Sequence, residues 1–143
     1  MRILKYVPKK LFGFTVNETG DQVYFHIRTF KWGKFPTHPP PLIGEEVEVE
    51  YNSEPRRDGK APKAREVVRI HEPAASYGYI ESFNVKRGYG FIMSPDGRSH
   101  YLHRSEMTDG KLPMPGMEVV FFEGFKQGRP RACFVQITGD RHE

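Results

Sequence analysis

Cysteine is almost absent from this 143-residue chain, where Cys133 stands alone. A lone cysteine excludes an intramolecular disulfide and a cysteine-based metal quartet, and it fits a small buried apolar residue in a reducing compartment. Long apolar runs are missing too. No stretch approaches the roughly 18 residues of a membrane span, and the first residues hold no signal-like hydrophobic segment, so a soluble, cytoplasmic protein without a membrane partner is expected. The groupings that catalysis requires are also lacking. No nucleophile stands near a base in a recognisable spacing and no carboxylates cluster, so neither an enzyme nor a small-molecule substrate is expected. His100 and His103 lie on one expected strand at a spacing that sends them to opposite faces, and nothing completes a ligand set around them; no metal or cofactor is expected.

What the chain does have is turns and rings. It contains 14 Gly and 12 Pro, is 13% aromatic, and shows little helical periodicity, which points to an all-β protein. Its net charge of +4 is weak evidence for a polyanionic partner, but the distribution is uneven. Residues 1–35 hold seven basic groups and two acidic ones, and residues 1–70 hold 13 and 9, whereas residues 71–143 hold 9 of each.

The sequence is one unit written twice. At an offset of 77, Ile3 falls on Ile80, Tyr6 on Phe83, Phe12 on Tyr89, Gly13 on Gly90, Phe14 on Phe91, Gly20 on Gly97, Tyr24 on Tyr101 and His26 on His103. The offset then drops to 72 (Gly44 on Gly116, Val47 on Val119) and to 68 (Pro62 on Pro130, Ala64 on Ala132, Val67 on Val135). Length changes are tolerated in surface loops and not within paired strands, so the two breaks place loops near 30–43 and 52–61. Period-two alternation predicts strands near 2–8, 11–17, 22–28, 45–51 and 64–70, then 77–83, 88–94, 99–103, 117–123 and 132–138. Five short strands per copy suit two consecutive five-stranded OB-fold β-barrels, over 1–70 and 77–143, joined by a short linker at 71–76.

The richest stretch runs Lys86-Arg87-Gly88-Tyr89-Gly90-Phe91-Ile92, followed by His100-Tyr101-Leu102-His103. Alternation on a strand puts Tyr89 and Phe91 on one face, with Tyr101 and His103 beside them on the next strand and Lys86 and Arg87 at the edge. Bases stack on rings and cations attract phosphates, so this is a platform for single-stranded RNA or DNA. The plainer alternative, that the rings are ordinary core, competes poorly because Ile80, Ile92 and Leu102 already supply the opposite face. Gly90 points to the barrel side, where a side chain would crowd it, and Gly88 permits an unusual backbone turn.

Phe83-Asn84, Arg87-Gly88-Tyr89-Gly90-Phe91-Ile92 and Tyr101-Leu102-His103 together resemble the cold-shock domain with its two ribonucleoprotein-type motifs, over most of residues 77–137. The resemblance implies low-selectivity binding of single-stranded RNA or DNA by stacking, in a protein that can act as a nucleic-acid chaperone, with Phe83 among the contacting residues. Two departures stand out. Ser82 occupies the place of the family's first-strand tryptophan, and Arg104 replaces the phenylalanine that often follows the histidine, exchanging stacking for charge.

The first copy matches more loosely: Lys10-Leu11-Phe12-Gly13-Phe14 has Leu11 where the family has glycine, and Lys5 stands at the tryptophan position. Its expected platform is Tyr6, Phe12, Phe14, Tyr24 and His26, bordered by Lys5, Lys9, Lys10 and Arg28. Trp32, in the loop Phe30-Lys31-Trp32-Gly33-Lys34-Phe35, either extends this surface or caps the open end of the barrel. Glu46, Glu48 and Glu50 alternate with Val47 and Val49, which gives an acidic outer face that a phosphate backbone would avoid. Two sites on one chain are expected to share a strand through their high local concentration. The competing reading is a protein-interaction scaffold built from degenerate OB domains, which the losses at Lys5, Leu11 and Ser82 favour.

Overall fold

The computed structural model describes residues 1–139; residues 140–143, the end of the expected second domain, lie outside the described residues. The chain divides into two compact units, the first spanning Met1–Pro73 and the second starting at Ala74.

In the first unit β1 (Arg2–Val7), β2 (Phe12–Val16) and β3 (Gln22–His26) form an antiparallel sheet in that order. A second sheet holds the short β4 (Phe30–Lys31), β5 (Val47–Tyr51) and β6 (Ala64–Arg69) in the order β4-β6-β5. Two isolated bridges join the sheets, Arg2 to Glu46 (antiparallel) and Tyr24 to Lys63 (parallel), so β1-β2-β3-β6-β5 make a circuit. The second unit has β7 (Ala75–Asn84), β8 (Tyr89–Met93), β9 (Ser99–His103), β10 (Glu118–Lys126) and β11 (Arg129–Gly139), closed as a barrel in the order β10-β11-β9-β8-β7. Its parallel seam pairs Tyr101 with Arg131, and its β7–β10 seam pairs Tyr79 with Glu118. These are the counterparts of the two bridges in the first unit at the three offsets read from the sequence. Both circuits have the five-stranded topology of the OB barrel, and the all-β expectation holds.

Local sequence explains the turns. Asn17 Oδ1 accepts the N–H groups of Thr19 and Asp21 at 3.0 and 2.8 Å and so folds the β2–β3 connection, while Ser94, Asp96 and Arg98 make the matching turn between β8 and β9. Gln127 and Gly128, with φ of 53° and 76°, form a two-residue hairpin turn that lets β10 and β11 run longer than the sequence pattern suggested. The corresponding loop of the first unit is far longer. Each strand triplet ends in a 3₁₀ turn, Ile27–Thr29 and Arg104–Glu106, so the third strand stops at His26 rather than running to 28.

The linker is shorter than 71–76: β7 already includes Ala75 and Ser76, and the Ala74 carbonyl accepts the Glu123 N–H at 2.9 Å. Each unit has its own core. Ile3, Val23, Phe25, Phe30, Val47, Ala64 and Val67 fill the first, and Ile80, Ile92, Leu102, Val119, Phe121, Ala132 and Val135 the second. Cys133 is buried. Arg69, wholly buried, forms a bidentate ion pair with Glu45 and donates to the carbonyls of Pro39 and Pro40 at 2.9 and 3.1 Å, which pins the proline-rich loop to the first barrel.

Candidate nucleic-acid interface

On the second unit the outer faces of β8 and β9 carry a cluster of three rings. The register sets Phe91 opposite Tyr101 and Tyr89 opposite His103. Tyr89 and Tyr101 lie nearly parallel, with centroids 5.8 Å apart and 18° between planes, while Phe91 stands edge-on to both at 6.5 and 6.1 Å. Phe91 is 38% exposed, high for a phenylalanine within a strand, whereas Ile80, Ile92 and Leu102 beneath are fully buried. The glycines between the rings act as expected: a Cβ on Gly90 would strike the Ser82 carbonyl and the Phe83 ring, and Gly88 has a φ of +73°. Lys86 and Arg87 are exposed in the turn between β7 and β8, and Arg104 is exposed just after β9.

The first unit builds the same cluster. Phe12 and Tyr24 are stacked at 5.5 Å and 27°, and Phe14 stands edge-on to them at 6.0 and 5.7 Å. His26 lies opposite Phe12 in the ladder. Lys9, Lys10 and Arg28 are exposed near its rim. Here the cation at the tryptophan position is part of the surface, since Lys5 Nζ lies 5.8 Å from the centre of the Phe14 ring.

Two residues expected on the platforms, Tyr6 and Phe83, lie elsewhere, as does Trp32, for which the sequence left two roles open. Tyr6 stacks at 6.2 Å and 13° on the buried Phe25 and packs against the first core, where burial raises its phenol above the usual pKa. Phe83 covers Gly90 and packs against the second core. A β-bulge in the first strand of each unit, after Ile3 and after Ile80, causes this by shifting the alternation one residue, so that these rings face inward. Trp32 meets the buried Phe30 edge-on at 4.7 Å and lies under the Arg69 guanidinium at 5.6 Å, which is the barrel-capping role.

Arg131 belongs to this surface although it lies outside the motifs of the sequence. Its guanidinium lies 5.3 Å from the centre of the Tyr101 ring, and its Nε is buried without a hydrogen-bond partner among the described residues. Glu106 Oε1 lies 3.8 Å from Arg131 Nη2. Burial raises the Glu106 carboxyl above the ordinary range, against the lowering effects of the Phe134 N–H and of Arg131. The signal was in the repeat: Lys63, bridged to Tyr24, is the residue that the offset of 68 places on Arg131, so each unit pairs its central tyrosine with a basic residue across the parallel seam. Burial first, then Arg131, Arg104 and Lys126, holds the His103 imidazole below its usual pKa.

The described residues include no group of three or more His, Cys, Asp or Glu side chains placed to hold a metal ion. Among them no helix is long and apolar enough to cross a membrane.

No family model matches the chain. A solved structure described as "drosophila Unr CSD456" aligns with 96% of the chain at a TM-score of 0.43 and 17% identity, and the chain spans only 59% of that longer chain. Cold shock protein 1 of Lactiplantibacillus plantarum is 38% identical over 60 residues, which is 41% of this chain and 91% of that relative. With nearly the whole of that relative matched by one stretch, the chain belongs to the cold-shock protein family.

Proposed function

We propose that this protein binds single-stranded RNA or DNA with low sequence selectivity, stacking bases on the two ring clusters while lysines and arginines contact the phosphates. It acts by binding rather than by catalysis, and this suits the chaperoning of transcripts. The observation that carries the reading is the duplicated cluster, Phe12, Phe14 and Tyr24 in one unit and Tyr89, Phe91 and Tyr101 in the other. Each stands on the outer face of its barrel above a core already filled from the other side. Rings in that position have no packing duty, and every base offers them a π-face. Lys9, Lys10 and Arg28 in the first unit, and Lys86, Arg87 and Arg104 in the second, supply the charge. Two sites on one chain raise the effective concentration of the second once the first is occupied.

A second reading, a protein-interaction scaffold, rests on other residues. Tyr77, Tyr79 and Val120 are 64%, 48% and 38% exposed on the β7–β10 face of the second unit. Exposed tyrosines grouped with apolar residues are common at protein interfaces.

Titration of the whole protein with oligo-dT, oligo-rU and a duplex of equal length, at 50 and 200 mM salt, separates the two. The nucleic-acid reading expects a single-strand preference and a log–log salt slope near −2.8, which is roughly fifty-fold weaker binding at the higher salt for about four phosphate contacts. Replacing Lys9 and Lys10 by Ala should flatten that slope. Absence of binding at low salt would overturn the reading and leave the scaffold in its place.

A further inference from the structure

His26 and His103 occupy the same place in the two units, each ending a strand and capping the 3₁₀ turn that follows. In both rings Nδ1 accepts a backbone N–H two residues on, from Arg28 and from Ser105, each at 3.1 Å. A ring nitrogen that accepts an N–H bond carries no proton of its own, so the neutral imidazole holds its proton on Nε2. The Ser105 hydroxyl lies 2.7 Å from the same Nδ1 of His103. Nε2 of each ring has no hydrogen-bond partner among the described residues, and neither nitrogen is buried. His26 is paired with Phe12 and His103 with Tyr89, so each free Nε2 belongs to a ring at the border of a cluster.

We propose that both histidines are neutral hydrogen-bond donors that present Nε2–H to an acceptor oxygen of the bound strand, a base carbonyl or a phosphate oxygen. The proposal rests on the single-strand reading and deepens it by assigning the histidines a directional contact. The competing role, an imidazolium attracting phosphate, needs a second proton on Nδ1, and that proton would displace the N–H that caps the turn. The surroundings of His103 also oppose a charge. Tyr89 of β8 is a neutral phenol, while Arg131 of β11, Lys126 of β10 and Arg104 of the turn are cations; Glu106, further along the turn, accepts the Phe134 N–H.

Nitrogen-15 NMR of the full chain reads the tautomer with no ligand present. Nε2–H is expected in both rings at pH 7.5, and Nδ1–H in a ring overturns the proposal for that ring. Binding of oligo-rU is next measured at pH 8 and pH 6. Unchanged affinity fits a neutral donor, whereas tightening that follows histidine protonation overturns it. His103→Asn keeps an acceptor near the Nδ1 position, so the turn stays capped, and it removes the Nε2 donor. Its melting temperature should match that of the parent while its binding weakens about five-fold, the worth of a neutral hydrogen bond; equal binding overturns the proposal. With oligonucleotides carrying abasic sites or methylphosphonate links, the substitution that abolishes the difference between parent and variant identifies the acceptor as base or phosphate. If the parent binds no single strand, the nucleic-acid reading itself fails. If it binds but the tautomer or the variant disagrees, only the donor assignment does.

Discussion

Leu11 and Gly88 are equivalent residues of the two units, and both have left-handed backbone, with φ of +60° and +73°. The hydrogen bonds around them match as well. Leu11 N–H donates to Val7 and Gly88 N–H to Asn84 at 2.9 and 2.8 Å, and their carbonyls accept from Ile27 and Arg104 at 2.8 and 2.9 Å. The turn therefore keeps its shape in the first unit although a branched side chain has replaced the glycine suited to it.

Left-handed backbone costs an L-residue other than glycine about 1–2 kcal/mol, while glycine loses about 0.5–1 kcal/mol of that advantage through its freer unfolded state. Leu11 is 47% exposed and gives little packing in return. Leu11→Gly should thus stabilise the first unit by about 0.5–1 kcal/mol, read as a higher urea midpoint for its transition. A lower midpoint would mean that the leucine side chain makes a contact worth more than the strain.

The ion pair between Arg69 and Glu45 is almost entirely dry, with side chains 0% and 8% exposed. Removing one member strands a buried charge, so Glu45→Ala should destabilise the first unit by about 3–5 kcal/mol. Adding Arg69→Met should recover part of that loss by removing the stranded charge. Thermal unfolding of the single and double variants checks both statements, and a double variant less stable than Glu45→Ala alone would show that the guanidinium's bonds to the Pro39 and Pro40 carbonyls matter more than its charge.

Rings on the clusters and rings on the cores should separate cleanly. Tyr101→Ala and Phe91→Ala should each weaken single-strand binding by about 1–3 kcal/mol and leave folding nearly unchanged. Phe83→Ala should behave in the opposite way, costing about 2 kcal/mol of stability because that ring packs against Gly90 and the core. Binding titrations alongside chemical denaturation distinguish the cases, and melting of the Phe91 and Tyr101 variants would assign those rings to the core.

Much of this arrangement was legible in the residues because it rests on local physics. Alternation along a strand is a short-range property, so Tyr89, Phe91, Tyr101, Phe12, Phe14 and Tyr24 could be assigned to outer faces, and Ile80, Ile92 and Leu102 to the core. The repeat located the two loops whose lengths differ between the copies, since offsets change only there. The resemblance placed Tyr6 and Phe83 on the platforms, but a bulge adds one residue to the first strand of each unit and turns both rings inward, and no side-chain pattern announced it.

What only the tertiary structure decided depends on contacts distant in sequence. The Tyr101–Arg131 pairing is a parallel seam that closes the barrel, and the Arg69–Glu45 pair spans 24 residues, so neither partner choice is encoded in nearby spacing. Trp32 could serve a surface or a cap until Phe30 and Arg69 were brought to it by the pairing of β4 with β6. The histidines show the same division. Their presence beside the rings was set by period-two alternation, while the tautomer that defines their chemistry was set by a backbone N–H that reaches Nδ1 only once the chain turns after each strand.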